Sequence, residues 1–410
     1  MILVLQLIVY VAAVGLLSGA SPAEDREVKR SVKLNNYNNW WFQSSTKTTK
    51  KEKLEVVARR DSVCFTESWP VRPAEIKALN PNAKVYRIYD LCCKNAWDSD
   101  WQHSLDTTRM QTPLTRRMID SADWWLRDGK GRIAKENERT WLLDVGKPGF
   151  KEAYLEAVLS RIEGKGFDGV VFDYLWPSAS SLQRNLKVEG LQDYPSDDDW
   201  FYDAWKPFFE YVVTGLHKAG YRVIGNCVGE YGTSDLLKNW QRSKVDGAIY
   251  EQWAVDWPKD GKGDWLEGHR VEIRIKAMHE DPLEVWTADL GVQSSDPAYE
   301  QKKTVSLAMY YVALPVGKER SYHHFRDRQV YWDDLWDFCI GEPLEQASKT
   351  PGRYFWSRKF THGIVLLNYE SQETINFSLD GKYRNPAGER VTGEISIPPH
   401  TALILANEEQ

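Results

Sequence analysis

From about residue 60 to about residue 330 the chain switches back and forth between two hydrophobic periods. Short runs rich in β-branched and aromatic residues read as strands, and each is followed by a stretch with the 3.6-residue spacing of an amphipathic helix. The candidate strands are Asn39–Gln43, Ser62–Glu67, Lys84–Leu91, Trp141–Val145, Gly169–Tyr174, Arg222–Cys227, Gly247–Trp253, Glu284–Leu290 and Ser321–Phe325. Helical spacing is clearest in Phe150–Glu163, Phe201–Ala219, Arg270–Glu280 and Tyr299–Val312. A glycine closes two of these helices, at Gly164 and Gly220, before the next strand begins. Strand and helix in alternation imply a parallel sheet, and this many units imply a closed barrel. The expected fold is therefore α/β, a (β/α)8 TIM barrel. Nine candidates exceed eight by one, so one of them is an extra strand or no strand.

Two regions depart from this pattern. Residues 24–35 are polar and charged and read as a flexible lead-in. After about residue 345 the helical period disappears. Tyr354–Phe360, Gly363–Tyr369, Thr374–Leu379, Val391–Ile397 and Ala402–Ala406 read as short strands joined by turns at Asp380-Gly381 and Asn385-Pro386-Ala387-Gly388. This predicts a small C-terminal antiparallel β-sandwich. The expected division is a signal peptide over 1–23, a barrel over 24–345 and a β-sandwich over 346–410.

The N-terminal expectation rests on residues 2–17, an uncharged apolar run followed by the small-residue patterns Ser18-Gly19-Ala20 and Ser21-Pro22-Ala23. Its length suits a signal-peptide core and is short for a membrane span. No Lys or Arg precedes it, so an uncleaved N-terminal anchor is the alternative. Both readings place the remainder outside the cytoplasm, secreted or periplasmic.

Charge and composition narrow the partners. The 410 residues carry a net charge of −6, which gives no reason to expect nucleic acid or an anionic membrane surface. No Gly-rich phosphate loop is present, so a nucleotide cofactor is not indicated, and no cofactor is expected. Trp is in excess, at 19 residues. Indoles fill cores. They also stack on the C–H faces of sugars while the ring N–H reaches a hydroxyl. The five Cys lack a Cys-x-x-Cys spacing, which argues against a thiolate zinc site, and the odd count leaves at least one thiol unpaired or intermolecular. No metal is expected. The acidic run Asp197-Asp198-Asp199 reads as a solvated loop before a calcium site, and Lys47–Lys53 as a solvated helix start.

Catalytic groups of barrel enzymes sit at the C-terminal ends of strands. Gly166-Phe167-Asp168-Gly169-Val170-Val171-Phe172-Asp173-Tyr174 is a buried-looking run that stops in Asp173, with Trp176 just beyond. Asp246-Gly247-Ala248-Ile249-Tyr250-Glu251-Gln252-Trp253 repeats the design with Glu251 and Trp253. Asp144, Asn226 and Asp289 each end another strand candidate, and His323 lies on the last one. A strand-end Asp by itself is more often a helix cap or an ion-pair partner. The set as a whole, with Trp beside both carboxyls, points to one pocket. Glycoside hydrolysis needs two carboxyls across the scissile bond, one protonated and one ionised. Asp173 fits the nucleophile or base and Glu251 the acid. Glu230, in a loop beyond its strand, is the rival acid. Asp144, Tyr174, Trp176, Asn226, Glu230, Trp253, Asp289 and His323 are the expected substrate contacts.

Ala78-Leu79-Asn80-Pro81-Asn82-Ala83-Lys84-Val85, Leu143-Asp144-Val145-Gly146, Gly166 to Asp173 and Tyr250-Glu251 together resemble the hypothetical glycoside hydrolase-like barrel families. The chain looks most like the one called hypothetical glycoside hydrolase family 15. It is more distantly similar to glycoside hydrolase family 114, the endo-α-1,4-polygalactosaminidases. The resemblance covers roughly residues 60–330. It implies a catalytic Asp on one strand and a catalytic Glu on a later one, which fall on Asp173 and Glu251. It also implies barrels with an extra strand, which suits the count of nine. Tyr174 stands where relatives often carry Asn after the Asp. The expected function is an exported glycoside hydrolase acting on a polysaccharide or glycan. The alternative is a non-catalytic carbohydrate-binding barrel protein.

Overall fold

The structure is a computed structural model, and it describes residues 31–36, 50–65, 72–95, 112–137, 140–228, 235–256, 263–289, 292, 294–316, 321–325 and 332–408. The apolar N-terminal run, the candidate strand Asn39–Gln43 and the rival acid Glu230 lie outside the described residues. Among the described residues no helix is long and apolar enough to cross a membrane.

In chain order the strands are β1 (Asn35–Asn36), β2 (Ser62–Phe65), β3 (Lys84–Asp90), β4 (Cys93–Asn95), β5 (Lys135–Asn137), β6 (Thr140–Leu142), β7 (Gly169–Asp173), β8 (Arg222–Val228), β9 (Gly247–Glu251), β10 (Glu284–Asp289) and β11 (Ser321–Phe325). The antiparallel strands β12 (Ser348–Lys349), β13 (Phe355–Phe360), β14 (Gly363–Asn368), β15 (Ile375–Arg384), β16 (Arg390–Ile397) and β17 (Thr401–Asn407) follow. The parallel sheet runs β1-β2-β3-β7-β8-β9-β10-β11. Leu34, next to the two-residue β1, bridges in parallel to His323 on β11, and the His323 N–H donates to Lys33 O at 2.8 Å. Seven full strands thus curl into a nearly closed barrel, with this short segment between the first and last.

Two expectations change. The candidate strand Trp141–Val145 is not a stave. Its residues Thr140–Leu142 form β6, which pairs antiparallel with β4 and β5 in a separate three-stranded sheet inserted between β3 and β7. A short apolar run does not reveal its partner, and Cys93 opposite Leu142 decides it. The polar lead-in, in contrast, ends in ordered chain. Val32 and Leu34 are buried, and Leu34 O accepts from the Asp61 and Ser62 N–H groups.

The N-terminal end of the barrel is built by a repeated device. Asp61, Asp168 and Asp246 each precede a strand. Each donates its backbone N–H to the neighbouring strand and takes an N–H back on its carboxylate. The carboxylate bonds come from Leu34 at 2.7 Å, Val85 at 2.8 Å and Val223 at 2.8 Å. The residue after two of these is glycine because the interior there is full. A Cβ on Gly169 would lie 2.1 Å from Arg222 O, and one on Gly247 would lie 2.7 Å from Ile224 Cδ1. Arg222 itself donates to Glu284 at 2.8 Å and to the Tyr86 hydroxyl at 3.3 Å, and Trp286 Nε1 donates to Glu284 at 2.7 Å.

The C-terminal part, expected as a β-sandwich, is one six-stranded antiparallel sheet, ordered β12-β13-β14-β17-β15-β16, because β17 pairs with both β14 and β15 and so joins the strands into a single ladder. β14 is buried on both faces. Val365 and Leu367 join the cluster around the helix Tyr299–Ala313, and Ile364 and Leu366 join a second core with Leu379, Tyr383 and Ile397 from β15 and β16. Arg358 on β13 fastens the sheet to the barrel. Its guanidinium donates to the carbonyls of Tyr311 at 2.8 Å, Val312 at 3.1 Å and Leu314, where the helix leaves them without intrahelical partners. The turn expected at Asp380-Gly381 is absent, because β15 continues to Arg384 through a register shift between Ser378 and Lys382. The Asn385–Gly388 turn is present, with the Gly388 N–H donating to Asn385 O at 2.8 Å.

Replacing Gly169 by Ala puts a methyl group onto the Arg222 backbone. It is expected to lower unfolding free energy by about 3 kcal/mol, measured by urea denaturation. An unchanged midpoint would mean that this end of the barrel is not packed as described.

Candidate active site

Inside the barrel, Cys64, Tyr86, Ile88, Val171, Ile224, Ile249, Trp286 and Ala288 form one buried cluster made only of strand side chains. Side chains alternate across a strand, so the next inward positions are Asp90 after Ile88, Asp173 after Val171, Asn226 after Ile224 and Glu251 after Ile249. An apolar floor therefore carries a polar ring at the end of the barrel where reactive groups collect.

One amide ties two carboxyls of this ring together. Asn226 Nδ2 donates to Asp173 Oδ1 and to Glu251 Oε2, each at 3.1 Å. The two acceptor oxygens are therefore no farther apart than twice that distance. The Tyr174 N–H also donates to Asp173 Oδ1, at 2.8 Å. Both carboxyl-bearing strands end in the same sparsely populated turn: Tyr174 has φ +55° and Gln252 has φ +57°. Bulky residues rarely take the left-handed region, and they keep it where the surroundings enforce it. The strand between them is irregular too. The β8–β9 register shifts between Gly225 and Val228, a bulge that spans Asn226 and sets the direction of its side chain.

Asp90 is the register partner of Asp173 across the β3–β7 pair and is fully buried. The adjacent thiols serve this corner. Cys92 Sγ donates to Tyr174 O at 3.1 Å, and Cys93 Sγ lies 3.5 Å from Asp90 Oδ2. Cys64, Cys92, Cys93 and Cys339 carry thiols, with no disulfide among the described residues. Those residues also contain no group of three His, Cys, Asp or Glu side chains arranged to hold a metal ion.

With the geometry in hand, known proteins place the chain. The sequence model of hypothetical glycosyl hydrolase family 15 matches residues 77–364, more than half of the length. The chain belongs to this family. No curated protein sequence matches it. Among solved structures it is similar to the glycoside hydrolase domain of PelA from Pseudomonas aeruginosa, with TM-score 0.42 and 11% identity over 72% of this chain and 95% of that one. It is also similar to an α-amylase from Geobacillus thermoleovorans complexed with acarbose, with TM-score 0.48 and 9% identity over 93% of this chain and 99% of that one. A family GH31 α-xylosidase from a soil metagenome, complexed with xylose, has TM-score 0.46 and 11% identity over 93% of this chain and 63% of its own.

In this family 15 chain the residues singled out from sequence separate into two groups. Asp173, Asn226 and Glu251 are brought together, with Tyr174 beside them. Trp176 follows half-buried; its carbonyl accepts from Trp200 Nε1 at 2.8 Å, and its own Nε1 has no partner among the described residues. The others face elsewhere. Asp144 is buried in the turn after β6, accepting from the Tyr194 hydroxyl at 2.7 Å and the Gly146 N–H at 3.1 Å. Burial raises its pKa above the usual carboxylate range. Trp253 is fully buried, edge-on to Tyr250 with ring centroids 5.9 Å apart, so it is a core residue and not a cleft wall. Asp289 is fully buried behind β10, where it accepts from the Ala254 N–H at 2.9 Å and the Val255 N–H at 3.1 Å. Burial pushes its carboxyl up to about 6. His323 faces outward, with Nδ1 3.0 Å from the Thr287 hydroxyl and its ring against Tyr310.

One inward acid, Asp90, was not singled out from sequence; of the pair His323-His324 on the last strand, both candidates for substrate contact, His324 is the inward one, two positions beyond the inward-packed Tyr322. The signal for both is the period of two. Lys84–Asp90 ends on Asp after an apolar run, just as Gly169–Asp173 does. Neighbours on a strand point to opposite faces, so the pair His323-His324 is divided by the register, His324 inward and His323 outward. The acidic run is structural: the Ser196 and Asp199 side chains cap each other's backbone N–H groups, and Asp197 accepts from the Ser180 hydroxyl at 2.7 Å.

The buried His323 makes a pH prediction. Burial lowers its pKa from 6.5 to about 3, so the fold holds it neutral while the unfolded chain protonates below 6.5. Its contribution to stability is complete above that pH and is lost as pH falls toward 3. His323→Phe is expected to flatten the acid side of a stability–pH curve from denaturation at a series of pH values. An unchanged acid slope would contradict a buried, neutral His323.

Proposed function

We propose that the protein is a glycoside hydrolase that cleaves a polysaccharide or glycan chain through Asp173 and Glu251. The observation that carries this reading is the Asn226 amide, which donates to both carboxyls at 3.1 Å. Donors to a carboxylate favour its ionised form, and Asp173 Oδ1 receives two, from Asn226 and the Tyr174 N–H. Asp173 is accordingly the nucleophile that bonds to the anomeric carbon. Glu251 gives its proton to the leaving glycosidic oxygen. It then takes a proton from the water that breaks the glycosyl–Asp173 bond and releases the sugar. Retaining enzymes hold their carboxyls about 5–5.5 Å apart and inverting enzymes about 6.5–9.5 Å. The shared Asn226 amide keeps one oxygen of each carboxyl within twice 3.1 Å of the other, close enough for the two groups to act on one glycosidic bond.

A panel of α-linked polysaccharides, read by release of reducing ends, tests the activity. Asp173→Asn and Glu251→Gln keep shape and remove charge or proton, so each should lower kcat by about 100-fold or more without unfolding the chain. On a substrate with an activated leaving group the Glu251 variant should recover much of its rate and the Asp173 variant should not. Binding by both variants, with no turnover by the wild type on any substrate, would favour the carbohydrate-binding alternative. Full turnover by Glu251→Gln together with loss in Glu230→Gln would move the acid role to Glu230.

We also propose that the chain is exported, on the strength of the apolar run at residues 2–17 and the small residues after it. Sequencing of secreted material is expected to find a mature N-terminus near Ser21 or Glu24. Met1 on secreted or membrane-bound protein would overturn cleavage.

A further inference from the structure

Glu251 ends β9, and the chain must turn sharply just after it, through Gln252 at φ +57°. The next three residues, Trp253, Ala254 and Val255, are almost wholly buried. The three N–H groups of this stretch and the carbonyls of Trp253 and Ala254 are held from outside it. The Trp253 N–H donates to Ala288 O at 3.2 Å, and Arg274 donates to Trp253 O at 3.1 Å. Asp289 accepts from the Ala254 N–H at 2.9 and 3.0 Å and from the Val255 N–H at 3.1 Å, and its own carboxylate is fixed by the Ser306 hydroxyl.

The last support comes from the antiparallel sheet. Tyr369, the residue after β14, is buried and donates its hydroxyl to Ala254 O. The same hydroxyl accepts the Leu266 N–H at 3.1 Å. Its ring stands edge-on to Trp265, with centroids 5.9 Å apart, and His400 of the same sheet stacks on Trp265 at 4.6 Å. The sheet thus holds the described residues Ala254, Trp265 and Leu266 downstream of Glu251.

We propose that Tyr369 and Asp289 are positioning residues that lock the segment after Glu251, making the C-terminal sheet a working part of the hydrolytic site and not a separate sugar-binding module. This rests on the reading of Glu251 as a catalytic carboxyl. Barrel and sheet are joined elsewhere by Arg358 and by apolar packing, so attachment alone does not need the Tyr369 hydroxyl. What that hydroxyl reaches is a carbonyl three residues from Glu251.

The test uses the full chain in wild-type form and as Tyr369→Phe, Asp289→Asn, Tyr383→Phe and Glu251→Gln. Tyr383 is a control from the same sheet, with its hydroxyl on Asp380 at 2.6 Å and none on the loop. Hydrogen exchange is read over residues 251–256 and kinetics on whichever polysaccharide of the panel is cleaved. In the wild type the Ala254 and Val255 amides should be protected, and rapid exchange there overturns the proposal before any variant is made. Tyr369→Phe should speed exchange over the segment by about tenfold while the sheet keeps its protection, since the buried hydrogen bond that the hydroxyl donates to Ala254 O is lost together with the one it accepts from the Leu266 N–H. It should lower kcat by about tenfold with KM within about twofold, the pattern of a misplaced catalytic group. Asp289→Asn should act the same way and Tyr383→Phe should do neither. Wild-type exchange over 251–256 in Tyr369→Phe, or loosened exchange with unchanged kcat, overturns the proposal. Full turnover by Glu251→Gln defeats the catalytic reading instead, and the exchange measurement still decides whether the clamp exists.

Discussion

The barrel interior is filled, and most of the molecule follows from that. Large side chains from alternate strands meet on the axis, with Tyr86 and Trp286 packed edge-on at 5.3 Å. At the N-terminal end the space is so short that two strands begin with glycine, and the remaining polar groups close on one another through Arg222, Glu284 and the Tyr86 hydroxyl. The inward polar groups left to face substrate gather in the last layer, where strands end and loops begin. Asp90, Asp173, Asn226 and Glu251 share that layer because each lies two residues beyond an apolar position of the same buried cluster.

Bringing two carboxylates together costs free energy through repulsion and lost hydration. The fold offsets this with hydrogen bonds and holds the groups with backbone conformations that a free chain avoids. One amide serves both acids, a bulge in β8 aims it, and left-handed residues follow each acid. The supports reach outward in layers. Thiols of Cys92 and Cys93 contact the Tyr174 carbonyl and Asp90, and the Asp289–Ser306–Tyr369 set surrounds the stretch beyond Glu251. A site of this kind depends on the parts behind it as much as on the side chains facing substrate.

The tryptophan excess has a different meaning from the one its number first suggests. Trp200, Trp205, Trp253, Trp286 and Trp336 are fully buried. Trp200, Trp205, Phe208, Phe209 and Trp240 interlock between the barrel and its outer helices, with Trp205 stacked on Phe209 at 5.8 Å. Among the described residues, indoles mostly fill volume between elements. Trp176, half-buried beside Asp173, is the described one whose place suits a sugar.

What the sequence determined by itself is what depends on short-range period. Alternating strands and helices, the change of pattern near residue 345, and carboxyls at the ends of Gly169–Asp173 and Gly247–Glu251 are all visible because neighbouring residues decide them. Only the tertiary structure decided pairing and direction. Thr140–Leu142 reads as a stave until Cys93 lies opposite it, and Leu34 and Asn35 read as lead-in until Leu34 bridges to β11 and Asn35 pairs with β2. His323 and His324 are neighbours in sequence but point to opposite faces, and the register of β11 chooses between them. Asp144, Trp253 and Asp289 resemble site residues in type and place, yet they are buried against other elements. The reason is physical: a residue's type states what it needs, a hydrogen bond or an apolar neighbour, while distant segments of the fold determine what meets that need.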